Sequence, residues 1–276
     1  MLPPAELDEL EVGLLLEAIR SCYGYDFRQY ARESMQRRVA AAAAKIGAKH
    51  LGELQHRVLH EPAIFSAVLD VLTVRVTEMF RDPLFYRELG ARVLPVLRTY
   101  PQLKIWHAGC ASGEEVYASA ILLTEAGLYD RAQIYATDMS SVAVKQTQEG
   151  VYPESAFAEF ARNYRESGGE RDFGSYWSRA YGNISILPTL KRNVHVFQHD
   201  LVSDYALGEM QLIFCRNVLI YFDDELRQRV FELFGAGLTH GGFLCLNGSE
   251  NLPTAQRSKY QEVSTATRIY RQRSAA

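Results

Sequence analysis

Residues able to do chemistry gather in four short stretches. The first, Gly109-Cys110-Ala111-Ser112-Gly113-Glu114-Glu115, follows a strand-like run, Ile105-Trp106-His107-Ala108, and opens a helix-like one. Strand, glycine turn and helix is how an α/β sheet presents its main chain to an adenine-containing cofactor. Glycine permits the tight turn, and its missing side chain admits a ligand to the backbone. The spacing is Gly-x-x-x-Gly-Glu, neither the Gly-x-Gly-x-x-Gly of dinucleotide enzymes nor a phosphate-gripping loop, and a plain tight turn would read the same. The second stretch ends the next strand at Asp138, where one carboxylate can accept from both ribose hydroxyls or cap the following helix. The third is Asp200 in Phe-Gln-His-Asp-Leu, an acceptor for an adenine amino group with Leu201 against the base, or a loop aspartate. The fourth, Leu212–Phe222, leads a buried strand into Arg216 and Asn217 and then an apolar run bearing Tyr221. Polar residues at the carboxyl end of a central strand are where open α/β sheets bind ligands. A buried arginine is costly without a partner, so Arg216 is expected to pair with a carboxylate of the protein or of a ligand.

Other chemistries lack their residues. There is no Gly-x-Ser-x-Gly nucleophile, and the seven histidines show no metal-ligand spacing. The four cysteines, Cys22, Cys110, Cys215 and Cys245, are isolated, which suggests neither a disulfide frame nor a zinc site and points to a reducing cytoplasm. A formal charge of −3 offers no field to hold nucleic acid. With 276 residues, 47% of them hydrophobic, no long apolar run and no signal-peptide pattern, the chain reads as a soluble protein of one large or two smaller domains. A cofactor-borne reaction needing no base and no metal fits this inventory.

Positioning these residues falls to a regular succession of elements. Residues 1–72 read as helices, with Leu7, Leu10, Leu14, Leu15 and Ala18 at helical spacing. A second helix is expected from Asp26 to Ile46. Its basic residues, among them Arg28, Arg32, Arg37 and Arg38, form either a solvated face or a docking surface for an acidic partner. Two shorter helices, at 51–59 and 63–72, part at Pro62. A hinge-like segment from 73 sets Thr73, Arg75, Thr77 and Arg81 beside Val74, Val76, Met79 and Phe80, a pattern that a surface strand explains equally well. Asp82-Pro83 then reads as the cap and first turn of a helix reaching about Leu97. From 103 onward, strands at 103–108, 133–137, 194–198, 211–215 and 242–246 alternate with helices at 114–126, 140–149 and 223–238. This predicts a mostly parallel sheet covered on both faces, closed by an antiparallel pair at 260–263 and 268–271. Residues 151–192 interrupt the alternation. Their glycines and their aromatics, Phe173, Tyr176, Trp177 and Tyr181, suggest short strands of an insertion, with the aromatics as local core or binding face.

Together these stretches resemble the CheR-type chemotaxis receptor (protein-glutamate) O-methyltransferases of bacteria, which use S-adenosylmethionine. The likeness covers nearly the whole chain: Gly24-Tyr25-Asp26-Phe27, Thr77–Arg81, Trp106–Glu115, Ala136-Thr137-Asp138, Cys215–Phe222 and Gly248–Leu252. It implies a class I (Rossmann-like) seven-stranded α/β methyltransferase domain at 81–276. An all-helical domain and linker at 1–80 and a small β-subdomain inserted at 151–192 complete the implied fold. It implies a cofactor site lined by Arg75, Thr77, Arg81, Ala108, Gly109, Glu115, Asp138, Met139, Asp200, Leu201, Arg216 and Asn217, with Arg81 and Tyr221 nearest the reacting methyl and no metal. The implied substrate is a glutamate carboxylate in an acidic helical region of a chemoreceptor or sensor, docked on Arg28, Arg32, Arg37 and Arg38. The chain is read as a cytoplasmic monomer with no nucleic-acid partner and no membrane insertion. Three positions depart from the family. Arg75 stands where Thr-x-Asn-x-Thr has Asn, Asp200 replaces a common Asn, and the insertion lacks the glycine-marked loop associated with docking a receptor's C-terminal tail peptide. The alternatives are a non-catalytic cofactor-binding regulatory module of a signalling system and an enzyme for a small carboxylic acid.

Overall fold

The computed structural model describes residues 4–73 and 77–273, so Arg75, with its neighbours Val74 and Val76, lies outside the described residues. The chain divides into two compact units, Met1–Arg75 with Ile220–Arg229, and Val76–Leu219 with Val230–Ala276.

The described residues of the first unit form α1 (Pro4–Tyr23), α2 (Arg32–Ile46), α3 (Leu51–His60) and α4 (Pro62–Leu72), joined by the first residues of a later helix that starts at Asp224. Pro62 occupies the first turn of α4, where a missing N–H costs nothing. Gly47 ends α2 in the left-handed conformation (φ 73°), its N–H returned to the carbonyls of Ala43 and Ala44. Leu15, Ile19, Val39, Leu54, Val58, Val68 and Leu72 are wholly buried. The expected second helix was to start at Asp26, yet α2 begins only at Arg32. Residues before it pair instead with Tyr221, Phe222 and Asp223, at the end of a 3₁₀ turn over Leu219–Tyr221. Ala31 N–H donates to the Tyr221 carbonyl at 2.7 Å and Asp223 N–H to that of Gln29 at 2.9 Å. Tyr30 and Phe222 form an antiparallel bridge, with ring centroids 4.9 Å apart. Main-chain groups spent on such a partner cannot also close helical bonds.

The second unit opens with α5 (Pro83–Glu88), a π-helical turn at Leu89–Val93 and α6 (Leu94–Leu97). Next come β1 (Leu103–Ala108), α7 (Glu114–Glu125), β2 (Ala132–Asp138) and α8 (Ser141–Glu149). They are followed by β3 (Val151–Pro153), α9 (Phe157–Glu166), β4 (Trp177–Ala180), β5 (Asn183–Ile186), α10 (Pro188–Lys191), β6 (Val194–Gln198) and β7 (Met210–Phe214). The chain ends with α11 (Asp224–Gly237), β8 (Leu238–Cys245), β9 (Tyr260–Ser264) and β10 (Ile269–Gln272). Seven strands form one sheet in the order β6-β2-β1-β7-β8-β10-β9. The first five run parallel, with Ile105 level with Ile134 and Leu212, and β10 joins antiparallel to β8 and β9. Buried runs such as Ile105-Trp106 and Leu212-Ile213-Phe214 belong to a sheet covered on both faces, as the alternation predicts. The chain lays β1, β2 and β6 to one side and returns to lay β7 and β8 on the other. Strand order therefore reverses between β1 and β7, and open sheets bind ligands at that reversal, beyond the strands' carboxyl ends.

The insertion supplies a three-stranded antiparallel sheet, β3-β5-β4, and α9. This helix was not expected. Its apolar face is only Phe157, Phe160 and Tyr164, set among charges in a glycine- and aromatic-rich stretch. The aromatics divide: Phe173, Tyr176 and Trp177 are buried with Phe160 and Tyr164, while Tyr181, at the β4–β5 turn, is fully exposed. Glu125 of α7 accepts hydrogen bonds from the hydroxyls of Tyr164 and Tyr176, tying the insertion to the main layers. Among the described residues no helix is long and apolar enough to cross a membrane.

Candidate functional site

The carboxyl ends of β6, β2, β1 and β7 lie side by side. The loops leaving them gather Asp200 and Leu201, Asp138 and Met139, Ala108 and Gly109, and Arg216 and Asn217. Gly109 (φ 82°) and Cys110 both donate their N–H to the Thr137 carbonyl at 2.8 Å. A Cβ on Gly109 would lie 2.5 Å from Val218 Cγ2, so conformation and proximity both require glycine there. Asp138 grips the same turn: Oδ2 accepts from Ala111 N–H at 3.0 Å and Oδ1 from Ser140 N–H at 2.9 Å. The cap of α8 is Ser140, whose hydroxyl accepts from Ala143 N–H, so Asp138 is not spent as that helix's cap. Thr147 Oγ1 donates to the Ala111 carbonyl at 2.9 Å, and the Tyr152 hydroxyl, from β3, to that of Ser112 at 3.0 Å. On the β6 side, Asp200 Oδ1 accepts from Val202 N–H at 2.9 Å, and Leu201 is buried. Met139 is partly buried, and its carbonyl accepts from Gln198 Nε2 at 2.8 Å.

On the other side of the turn runs a chain of charges. The Arg216 side chain is 3% exposed, with Nη1 2.9 Å from Glu115 Oε2 and Nη2 2.6 Å from Asp82 Oδ2. Its guanidinium lies 4.0 Å from the centre of the Phe85 ring. Glu115 Oε1 faces His107 Nδ1 at 3.2 Å, His107 Nε2 faces Ser119 Oγ at 2.8 Å, and the imidazole lies flat on Phe214. Burial alone would raise the Glu115 carboxyl. The His107 hydrogen bond and the Arg216 charge outweigh it and hold the group below the usual carboxylate range. Arg216 has thus found the expected carboxylates, and its Nε stays buried without a partner among the described residues.

Asp82 was expected to cap α5. It makes no side-chain cap, because its carboxylate is taken by Arg216. Phe80 (φ 54°) and Asp82 (φ 60°) put two non-glycine residues in the left-handed region on either side of Arg81. Each costs about 1–3 kcal/mol, and such strain collects where a side chain must be aimed. The surroundings hold it: Asn163 Nδ2 of α9 donates to the Met79 carbonyl at 3.2 Å, and the Phe80 ring packs on Tyr86 and Tyr164. Thr77 and Arg81 lie in this segment, both partly buried. Sequence reasoning gave Asp82, His107 and Glu250 no part in the site. A histidine inside the apolar run of β1 and an acidic residue directly after Arg81 were the available signals.

Glu114, beside Glu115, is 7% exposed, and the Ser112 hydroxyl lies 2.8 and 3.0 Å from its two oxygens. Burial pushes its carboxyl up to about 7, against the pull of Ser112. Between the ordinary 4.5 and 7 the folded state holds a proton that the unfolded chain releases, so stability falls as pH rises through that window and levels off above it. Urea unfolding from pH 5 to 8 should show this slope. Glu114→Gln should flatten it and gain on the order of 2–3 kcal/mol at pH 8. An unchanged slope in the variant would contradict the assignment.

Tyr221 and the basic residues belong to the helical unit. The Arg38 guanidinium lies 4.1 Å from the centre of the Tyr221 ring and donates to the Leu72 carbonyl at 2.5 Å. Arg38 is only 8% exposed, so it is withdrawn from the expected docking face: its donors serve the interior of the unit. Arg28 is exposed and pairs with Asp26 at 2.7 Å and Glu17 at 3.2 Å, Arg32 pairs with Glu9, and Arg37 is exposed.

The donor set in the second unit suits S-adenosylmethionine. It offers an acceptor at the end of β2 for a diol, the tight Gly109 turn beside it, and a buried Arg216 Nε for the amino-acid end. The chain matches the family described as CheR methyltransferase, SAM binding domain over residues 75–269. It matches CheR methyltransferase, all-alpha domain over residues 11–73. The Cher3 protein of Pseudomonas putida is 42% identical over 264 residues, 95% of this chain and 97% of that one. The chemotaxis protein methyltransferase of Listeria monocytogenes is 28% identical over 254 residues, 91% of this chain and 93% of that one. That of Vibrio anguillarum is 31% identical over 247 residues, 86% of each.

Proposed function

The chain belongs to the CheR methyltransferase family, and on that premise we propose that it methylates glutamate side chains of a chemoreceptor or receptor-like sensor. S-adenosylmethionine is its cofactor. The observation that most supports a working site is the Gly109 turn, pinned by Asp138 at the sheet's strand reversal and flanked by the buried Arg216–Glu115 pair. Relatives named as chemotaxis protein methyltransferases favour the receptor as substrate.

When bound, S-adenosylmethionine supplies a methyl group activated by the positive charge on its sulfur, so a carboxylate acceptor needs neither base nor metal. Asp138 would accept from the ribose hydroxyls, and Asp200 would take the adenine amino group with Leu201 against the ring. Arg216 and Asn217 would hold the amino-acid end, and Thr77, Ala108, Glu115 and Met139 would complete the lining. Arg81 would orient the acceptor glutamate, which is ionised at neutral pH, and Tyr221 would lend a hydroxyl to the reaction. Keeping water away strengthens the attraction between anion and cation, and the protein's work is otherwise positioning. Arg28, Arg32 and Arg37 offer their exposed charge to an acidic receptor helix.

One methylation assay tests these roles together. Tyr221→Phe and Arg81→Ala should lower turnover about 100-fold while S-adenosylhomocysteine affinity stays within about threefold. Arg37→Glu should raise KM for the protein substrate several-fold at low salt and flatten its salt dependence. Equal losses of turnover and cofactor affinity in the first two variants would overturn the catalytic roles. A salt-independent rate in the unaltered protein would overturn the docking role.

A further inference from the structure

Glu250 has no part in the roles assigned above. The residue is 4% exposed, and its carboxylate receives four main-chain N–H groups. Val218 and Leu219 donate to Oε1 at 3.0 and 2.9 Å, and Asn217 and Asn247 to Oε2 at 3.2 and 2.8 Å. Three of these are successive amides of the loop that leaves β7 and carries Arg216 and Asn217. Asn217 is left-handed (φ 64°). A left-handed residue turns neighbouring amides toward one point and makes a concavity that receives an anion. The anion is not local: Glu250 comes from the loop beyond β8, 31 residues after Leu219. Val218, held by the same carboxylate, fills the space that a side chain on Gly109 would need. One buried carboxylate therefore fixes the loop beyond β7 directly and the turn beyond β1 through Val218, the two sides of the strand reversal. Hydrogen bonds to an ionised acceptor are roughly twice as strong as neutral ones, and three adjacent amides without that acceptor would turn to water and let the loop relax.

We propose that Glu250 is a positioning residue for cofactor binding, holding the Arg216-Asn217 loop in the conformation that receives the amino-acid end of S-adenosylmethionine. This rests on the cofactor reading given under Proposed function.

Glu250→Gln keeps the side chain's size but sets an NH2 group against two of the N–H donors. In calorimetry its affinity for S-adenosylhomocysteine should fall about 10- to 100-fold. Adenosine, which lacks the amino-acid end, should lose less than about threefold. A merely structural role would weaken both ligands alike. Amide hydrogen exchange without ligand gives a second readout. In the unaltered protein the amides of Asn217, Val218 and Leu219 should be protected. In the variant they should lose at least about tenfold of that protection, while those of β1 and β2 keep theirs. Unchanged affinity for S-adenosylhomocysteine, or equal losses for the two ligands, overturns the proposal. Should the variant fail to fold, the unaltered protein decides: exchange of the three amides at unprotected rates overturns it, and protection upholds it. Failure of the unaltered protein to bind S-adenosylhomocysteine would instead sink the cofactor reading, and this proposal with it.

Discussion

Replacing Asp138 by alanine should weaken S-adenosylhomocysteine binding by about 10²- to 10⁴-fold. Two hydrogen bonds from ribose hydroxyls to a carboxylate contribute about 1.5–3 kcal/mol each, and each 1.4 kcal/mol is about a factor of ten in affinity. The loss has a second source, because the same carboxylate grips Ala111 in the glycine turn and Ser140 at the start of α8. Asp138→Asn, which retains one acceptor oxygen, should fall between. Calorimetry with the two variants separates the outcomes, and a dissociation constant for Asp138→Ala within about threefold of the original would remove Asp138 from the ribose.

Arg216→Met should have the largest effect on the fold. The arginine side chain is 3% exposed between Glu115 and Asp82, and methionine fills much of its volume without its charge. Glu115 would then keep a buried charge beside the His107 imidazole. Breaking a buried pair from one side costs about 3–5 kcal/mol, a large part of the 5–15 kcal/mol by which domains are commonly stable. Urea unfolding should register that loss, and cofactor binding should fail with it. Pairing the change with Glu115→Gln should recover part of the stability, since the orphaned charge is then gone. A loss under about 1 kcal/mol for Arg216→Met alone would mean that the charge chain does not hold this corner of the sheet.

The parallel core was legible because its strands are short runs with apolar residues that end at glycine or polar residues, and β1, β2, β6, β7 and β8 lie close to their expected positions. Helix α9 was not, because three aromatics at i, i+3 and i+7 among charges fell inside a stretch read as short inserted strands. The start of α2 was misplaced because the partner that draws residues 27–31 out of a helix, the segment around Tyr221, lies nearly two hundred residues later. No local pattern reports such a pairing. The same holds at the site. Asp138 and Arg216 announced themselves as polar residues at strand ends, whereas Asp82 looked like a helix cap until Arg216 claimed it. Arg38 looked like one more exposed base on a lopsided helix. Its burial depends on Leu72 and Tyr221, which the helix's own sequence does not reveal.

We propose that this protein esterifies glutamate side chains of a receptor. The most direct measurement supplies the purified protein with S-adenosylmethionine labelled in its methyl group and with cytoplasmic fragments of bacterial chemoreceptors, then treats the protein fraction with alkali. Carboxyl methyl esters hydrolyse and release the label as volatile methanol. Label should enter the receptor fragment, leave it in alkali, and be lost when the acceptor glutamates are changed to alanine. Tight binding of S-adenosylhomocysteine without any alkali-labile label on the fragments, or label that survives alkali, would contradict the proposal.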